Sequence, residues 1–244
     1  MSEKKLTLQD ISNFPKHISI IPDGNRTRAK KNWVSVFEWY LESVEKAIQI
    51  IEYIFTKTPI KVFSWRGMST ENRQKRPTAE LDFLFGLYKT CGDKLNEFLQ
   101  KEKINFRWIW DMRWLPQDFL DYMKGMVDRF SFDTDRYIIF AINYGGRDEI
   151  IRGIKSYISD GKDIEDLTED NLGEYMDLWS YDPVEMVIRT KWDTSSRISW
   201  FMSWWIWYAE LYFTSKLFQE VEDDDIEQAL VWYDNIYQHR NFGK

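Results

Sequence analysis

At 244 residues the chain has the length of one large α/β domain with a substantial core. Its formal net charge of −7 argues against a nucleic-acid partner, because a phosphate backbone calls for a concentrated basic face, whereas a small diphosphate needs only local positive charge. A single cysteine, Cys91, excludes an intrachain disulfide framework, and two well-separated histidines, His17 and His239, leave no zinc-site spacing.

Residues 1–14 are mixed and polar, lack the apolar core of a secretory signal, and are expected to form a peripheral segment of a single domain spanning 1–244. With Cys91 read as an inert core thiol in a reducing compartment, they predict a cytoplasmic protein. The run His17–Ile21 then predicts a buried strand. It stops at Asp23-Gly24-Asn25-Arg26, just before basic, helix-prone residues. A parallel strand ending this way delivers a carboxylate to its carboxyl end, and the glycine lets backbone N–H groups approach an anion. Asp23 is thus placed to hold a metal over a phosphate. Taken alone, the triplet is weak evidence and reads more readily as a plain strand-to-helix turn.

Further on, periodicity predicts a helix over Val36–Phe55, a strand over Ile60–Ser64, a helix over Ala79–Lys101 and a strand over Phe106–Trp110. A helix over Gln117–Phe130, a strand over Tyr137–Asn143, a helix over Arg147–Ser159 and a strand over Met186–Arg189 follow. Trp200–Tyr212 and Asp223–Gln238 are read as the last two helices. The first of these is too short to span a membrane and is read as a buried helix or a greasy contact surface for a peripheral membrane contact. The alternation predicts a central parallel sheet of about six strands flanked by helices, joined by right-handed crossovers. Asp223-Asp224-Asp225 is read as the acidic first turn of a helix rather than a metal motif, and His17 as a structural strand-end residue.

Five ordered segments resemble one family over nearly the whole chain. They are Asp23-Gly24-Asn25; Ser69-Thr70-Glu71-Asn72 with Arg76-Pro77; Asp111 with Leu115-Pro116; Asn143-Tyr144-Gly145-Gly146-Arg147; and Arg189-Thr190, Arg197-Ile198-Ser199 and Tyr208-Ala209-Glu210-Leu211-Tyr212-Phe213. The family is the cis-prenyltransferases, the undecaprenyl diphosphate synthase-like enzymes. The resemblance implies that fold, a homodimer, and Mg2+-dependent condensation of isoprenoid diphosphates, with dimethylallyl, geranyl, farnesyl or isopentenyl diphosphate as substrates. It casts Asp23, Ser69 and Asn72 as catalytic. Asp23 would carry the metal with Glu210, which arrives from across the dimer. Gly24, Asn25, Arg26 and Arg76 would bind the allylic substrate, with Arg28 the candidate replacement for a clamp arginine that is missing or has moved one place, and Arg189, Arg197 and Ser199 the diphosphate of isopentenyl diphosphate. Arginine suits both tasks because its planar fork binds phosphate oxygens in pairs. Trp39, Tyr40, Phe83 and Tyr88 would line the tunnel for the growing chain.

The chain also departs from the pattern near its ligand sites. Thr27 and Arg28 stand where the family has an arginine and an aromatic, and Val36, Trp39 and Tyr40 where it has a second arginine and a Gly-His pair. Arg73 replaces an aromatic after Asn72, and an extra residue before Arg76 makes Lys75 a rival for its role. Lys191-Trp192-Asp193 fills a Gly-containing turn, and Asn241-Phe242-Gly243 lacks a terminal arginine. These changes imply short-chain, irregular allylic–allylic coupling or cyclisation. Conventional addition of isopentenyl diphosphate and a catalytically silent partner subunit are the alternatives.

Overall fold

Five successive residues buried on both sides leave His17–Ile21 (β1) no place but the middle of a parallel sheet covered on two faces. The computed structural model describes residues 6–24, 36–111, 113–191 and 197–239. Along the chain follow Val36–Lys57 (α1), Val62–Ser69 (β2), Thr70–Lys75 (α2), Thr78–Glu102 (α3) and Asn105–Ile109 (β3). Gln117–Arg129 (α4), Tyr137–Tyr144 (β4), Gly146–Ser159 (α5), Glu169–Gly173 (α6), Met186–Arg189 (β5), Glu210–Phe213 (β6) and Asp223–Gln238 (α7) complete the set. The strands form one sheet in the order β3-β4-β2-β1-β5-β6, parallel at every pairing.

Alternation along each strand divides the core into two layers. Ile18 and Ile20 of β1 face a large cluster with Ile50 and Ile54 of α1, Leu95 and Leu99 of α3, Phe119 of α4 and Leu230 of α7. Ile21 faces a smaller one with Leu178, Val184, Phe201, Met202 and Ile206. His17 is buried in the sheet, its Nδ1 2.7 Å from the Asp182 carbonyl and its Nε2 2.5 Å from Ser64 Oγ; it is a structural residue, as the sequence suggests.

The chain moves from β1 to β2 on one side and from β5 to β6 on the other. Crossovers therefore leave the adjacent strands β1 and β5 in opposite directions, which opens a crevice beyond their carboxyl ends. Asp23 and Arg189 stand at those two ends.

The expected helix over Trp200–Tyr212 is overturned. Ser199, Trp200 and Met202 have left-handed backbones with φ of 49°, 59° and 48°, and the segment runs as successive turns into β6, which pairs with β5 from Met186↔Glu210 to Arg189↔Phe213. The turns are held from outside: Gly146 N–H donates to the Trp200 carbonyl at 2.9 Å, and the Arg147 guanidinium lies 3.4 Å from the Trp200 ring centroid. This segment leaves Trp207 78% and Tyr208 92% exposed beside the edge strand.

The amino-terminal segment is tied to α7. Leu8 N–H donates to Glu227 Oε1 at 2.8 Å, and Asn13 N–H to Asp234 Oδ1 at 2.9 Å. At the start of α7, Asp223 accepts from Gln49 Nε2 at 2.9 Å and Asp225 pairs with Lys216 at 2.7 Å. Its acids are thus engaged by neighbours at a helix end that favours negative charge. Among the described residues, no three His, Cys, Asp or Glu side chains gather as a metal site, and no helix is long and apolar enough to cross a membrane.

Candidate active site

Asp23 is fixed by its backbone before its side chain does anything. Its N–H donates to Thr190 Oγ1 at 2.7 Å, that hydroxyl donates back to the Asp23 carbonyl at 2.9 Å, and Phe218 N–H donates to the same carbonyl at 3.0 Å. The ends of β1 and β5 and the chain before α7 are joined at this one residue. The next residue, Gly24, has φ of +130°, and a Cβ there would lie 2.9 Å from Leu217 Cβ. Neither the torsion nor the space admits a side chain. Gly24→Ala is expected to destabilise the fold by about 1–3 kcal/mol, read as a lowered urea midpoint; an unchanged midpoint would show that the turn can be built another way.

The Asp23 carboxylate opens toward a cavity of about 410 Å³ between the sheet's carboxyl edge, α1 and α3. Arg189 is buried and pairs with it, Nη2 to Oδ2 at 3.0 Å; the arginine side chain is 4% exposed and the carboxylate side chain 37%. Burial lowers the pKa of Arg189, and Asp23 works against that shift. Its other terminal nitrogen donates to the Arg197 carbonyl, so Arg189 ties the acid of β1 to the segment carrying Arg197 and Ser199. Both of those residues line the cavity.

At the opposite wall Ser69 caps α2, accepting from Asn72 N–H at 3.1 Å, which sets Asn72 at the rim. Arg76 lines the cavity while Lys75 does not, so the position, if not the role, goes to Arg76 over its rival. It lies 3.5 Å from Glu80 Oε1 and 6.0 Å from the centroid of the Tyr40 ring, and Tyr40 OH donates to the same carboxylate at 2.9 Å.

Of the four expected tunnel residues, Tyr40 and Tyr88 line the cavity; Trp39 and Phe83 do not. Phe83 packs behind Tyr40, with ring centroids 6.5 Å apart. The apolar wall is completed by Trp65, Leu84, Phe140 and Phe218, none of which the sequence reading selected. Trp65 and Phe218 meet edge to face at 5.0 Å. Cys91 also lines the cavity, its thiol pushed up to about 12 by burial, which keeps it protonated and inert.

Asn25, Arg26 and Arg28 lie outside the described residues, as do Trp192, Asp193 and residues 241–243. Glu210 is level with Met186, three positions below Arg189 in the sheet. At about 3.3 Å per residue it stands well away from Asp23 of the same chain. The middle motif is structural: Asn143, with φ of 53°, donates through Nδ2 to the Asp111 carbonyl at 2.8 Å, while Asp111 holds Arg113 at 2.7 Å.

This donor set suits a magnesium ion, which takes one or two carboxylates together with substrate phosphate oxygens rather than a full protein cage. A hard, half-open carboxylate faces the cavity, surrounded by guanidinium groups that match phosphate oxygens.

The family model described as putative undecaprenyl diphosphate synthase matches residues 21–243. A tritrans,polycis-undecaprenyl-diphosphate synthase (geranylgeranyl-diphosphate specific) of Sulfurisphaera tokodaii is 32% identical, over 98% of this chain and 93% of its own. A ditrans,polycis-undecaprenyl-diphosphate synthase ((2E,6E)-farnesyl-diphosphate specific) of Acinetobacter baylyi is also 32% identical, over 98% and 95%. Among solved structures, lavandulyl diphosphate synthase from Lavandula x intermedia, in complex with dimethylallyl diphosphate, superposes with a TM-score of 0.83 at 27% identity, covering 91% of this chain and 95% of that one. With the parallel sheet, the crevice at β1 and β5 and the ordered motifs in place, the chain belongs to the undecaprenyl diphosphate synthase family and is a prenyltransferase of the cis-prenyl diphosphate synthase type.

Proposed function

We propose that this prenyltransferase makes a short product, joining two allylic diphosphates in an irregular coupling or cyclising the product. The observation that carries this reading is the modest volume and aromatic lining of the cavity. About 410 Å³, walled by Tyr40, Tyr88, Trp65, Phe140 and Phe218, lies toward the lower end of small-ligand sites, roughly 300–1,000 Å³. Short prenyl groups fit it, and an undecaprenyl chain would need the rings to move. The likeness to a lavandulyl diphosphate synthase that binds dimethylallyl diphosphate supports the same substrate class.

In this reading the allylic C–O bond breaks, pyrophosphate carries away the electron pair, and the alkene of the acceptor forms the new C–C bond at the allylic carbon before losing a proton to an oxygen of the released pyrophosphate. Negative charge gathers on the leaving group, where Arg76 offers donors, while Arg189, Arg197 and the Ser199 hydroxyl hold the diphosphate of the acceptor. Magnesium bound at Asp23 and the phosphate oxygens would supply Lewis-acid stabilisation of that charge. The aromatic wall excludes water from the allylic cation and presents π faces to it.

Conventional elongation is the second reading, favoured by the convergence of Arg189, Arg197 and Ser199 on one cavity. It predicts that Arg197→Ala raises KM for isopentenyl diphosphate by roughly tenfold or more, the size of one charge-assisted contact, in steady-state assays; an unchanged KM would remove that role. The two readings separate when purified protein and magnesium are given dimethylallyl, geranyl or farnesyl diphosphate, with and without isopentenyl diphosphate, and the dephosphorylated products are identified by mass spectrometry. Product from an allylic diphosphate alone supports irregular coupling or cyclisation. Product only with isopentenyl diphosphate supports elongation, and exclusive formation of long polyprenyl products sinks the short-chain reading. Turnover by the purified chain excludes a silent partner subunit. The exposed edge of β6, with Trp207 and Tyr208 beside it, supports a homodimer in which Glu210 serves the partner's metal.

A further inference from the structure

Arg66 interrupts the buried run of β2, a strand otherwise made of apolar and small residues. A guanidinium placed in a central strand loses hydration and needs a compensating partner. Among the described residues its partners are few. Nη2 donates to the Ser199 carbonyl at 3.1 Å, and the guanidinium carbon lies 5.8 Å from the centroid of the Phe201 ring. That is one neutral acceptor for a group with five donors. The other charges near it are Asp23, Glu71 and a like charge, Arg189.

The backbone is shaped to bring this side chain into the cavity. Pairing of β2 with β4 runs regularly to Arg66↔Ala141 and then slips, so that Met68 rather than Gly67 meets Ile142. Such bulges re-aim side chains and concentrate near active sites. A Cβ at Gly67 would sit 3.1 Å from Tyr88 OH, so the glycine beside Arg66 leaves room for that ring at the cavity wall. The cavity thus gathers Arg66, Arg76, Arg189, Lys191 and Arg197 against two carboxylates, Asp23 and Glu71.

We propose that Arg66 is a further diphosphate-binding residue of this cavity, its free donors facing the anion while Nη2 holds the Ser199 segment over it. This rests on the diphosphate-binding reading of the site. A cationic surplus beside a low-dielectric wall is offset when a multiply charged anion enters, and an arginine already half-buried has less hydration left to lose on binding it.

The test compares binding of inorganic pyrophosphate, with magnesium, and of farnesol, an uncharged prenyl probe, by calorimetry in the parent and in the Arg66→Gln and Arg66→Lys variants. Arg66→Gln is expected to weaken pyrophosphate roughly ten- to a hundredfold and to leave farnesol affinity and the melting midpoint nearly unchanged, with Arg66→Lys recovering part of the loss. Equal pyrophosphate affinity in parent and Arg66→Gln overturns the role of Arg66 and leaves the diphosphate reading standing. Equal losses for both ligands, or no recovery in Arg66→Lys, would mean that Arg66 only supports the wall, which also overturns it. A parent that binds no pyrophosphate overturns both readings together.

Discussion

Replacing Asp23 with asparagine is expected to leave the protein folded and to cut prenyl transfer by roughly a hundred- to a thousandfold, the cost of losing one preorganised charge-stabilising group. The amide keeps the shape and an oxygen that can accept from Arg189, and the backbone clasp through Thr190 and Phe218 does not involve the side chain. What disappears is the negative charge that faces the cavity and can hold a cation. Asp23→Ala carries the same kinetic loss and some instability besides, because buried Arg189 then lacks its carboxylate. Single-turnover rates at saturating magnesium, with denaturation midpoints for both variants, provide the measurement. A near-normal rate for Asp23→Asn would take Asp23 out of the chemistry.

A second large effect is expected to stay hidden in the parent protein because two separate buried groups are shifted in ways whose pH dependences oppose. Glu149 is buried at the start of α5, where Trp205 Nε1 and Asp177 N–H donate to Oε1 at 3.0 and 2.9 Å and Tyr144 OH donates to Oε2. Burial, with Asp177 nearby, pushes its carboxyl up to about 7. The folded state then holds a proton that the unfolded state releases above about pH 4.5, so this contribution to stability is present at low pH and is lost as pH rises toward 7. His17 behaves oppositely. Burial lowers it to about 4, so the unfolded state takes up the proton first, and stability falls as pH drops from 6.5 toward 4. Each window is worth about 3 kcal/mol, and between pH 4.5 and 6.5 the two slopes offset. Relative to the parent, Glu149→Gln should gain stability as pH rises through that range, and His17→Asn should lose it. Urea midpoints at half-unit steps from pH 4.5 to 7.5 test both; variant curves that run parallel to the parent would refute the assignment.

The sequence was most legible where one physical demand governs a segment. β1, β5 and α7 lie where the apolar runs and the acidic first turn place them, and Asp23 follows just beyond β1 as a strand-to-glycine transition predicts. It was least legible where two demands compete. β2 continues five residues past the expected end, because Arg66 and Gly67 look like a terminus when read for burial, although they form a bulge at the cavity. A cation within a strand-length run, followed by glycine, was the available signal. The stretch from Trp200 to Phe213 was misread because its aromatics satisfy both helical and extended spacing. Its left-handed residues carry no signature glycine to mark the turns, and the β6 pairing that decides the matter is made with residues far away in sequence. The cavity wall was half visible for the same reason: helix periodicity shows Tyr40 and Tyr88, but Phe140 and Phe218 reach the site only through the sheet and the turn before α7.

The central position of β1 also sets a timetable for synthesis. Its partner on one side, β2, follows soon after, but 168 residues separate Ile18 from Met186 on the other. At ribosomal rates of about 5–20 residues per second, that interval is on the order of ten to thirty seconds, during which the isoleucine-rich edge of β1 has no strand to pair with. The emerging chain is therefore a natural client for a chaperone that shields extended apolar segments, and its yield in a cell should respond to translation speed between β4 and β5 more than to speed anywhere before β2.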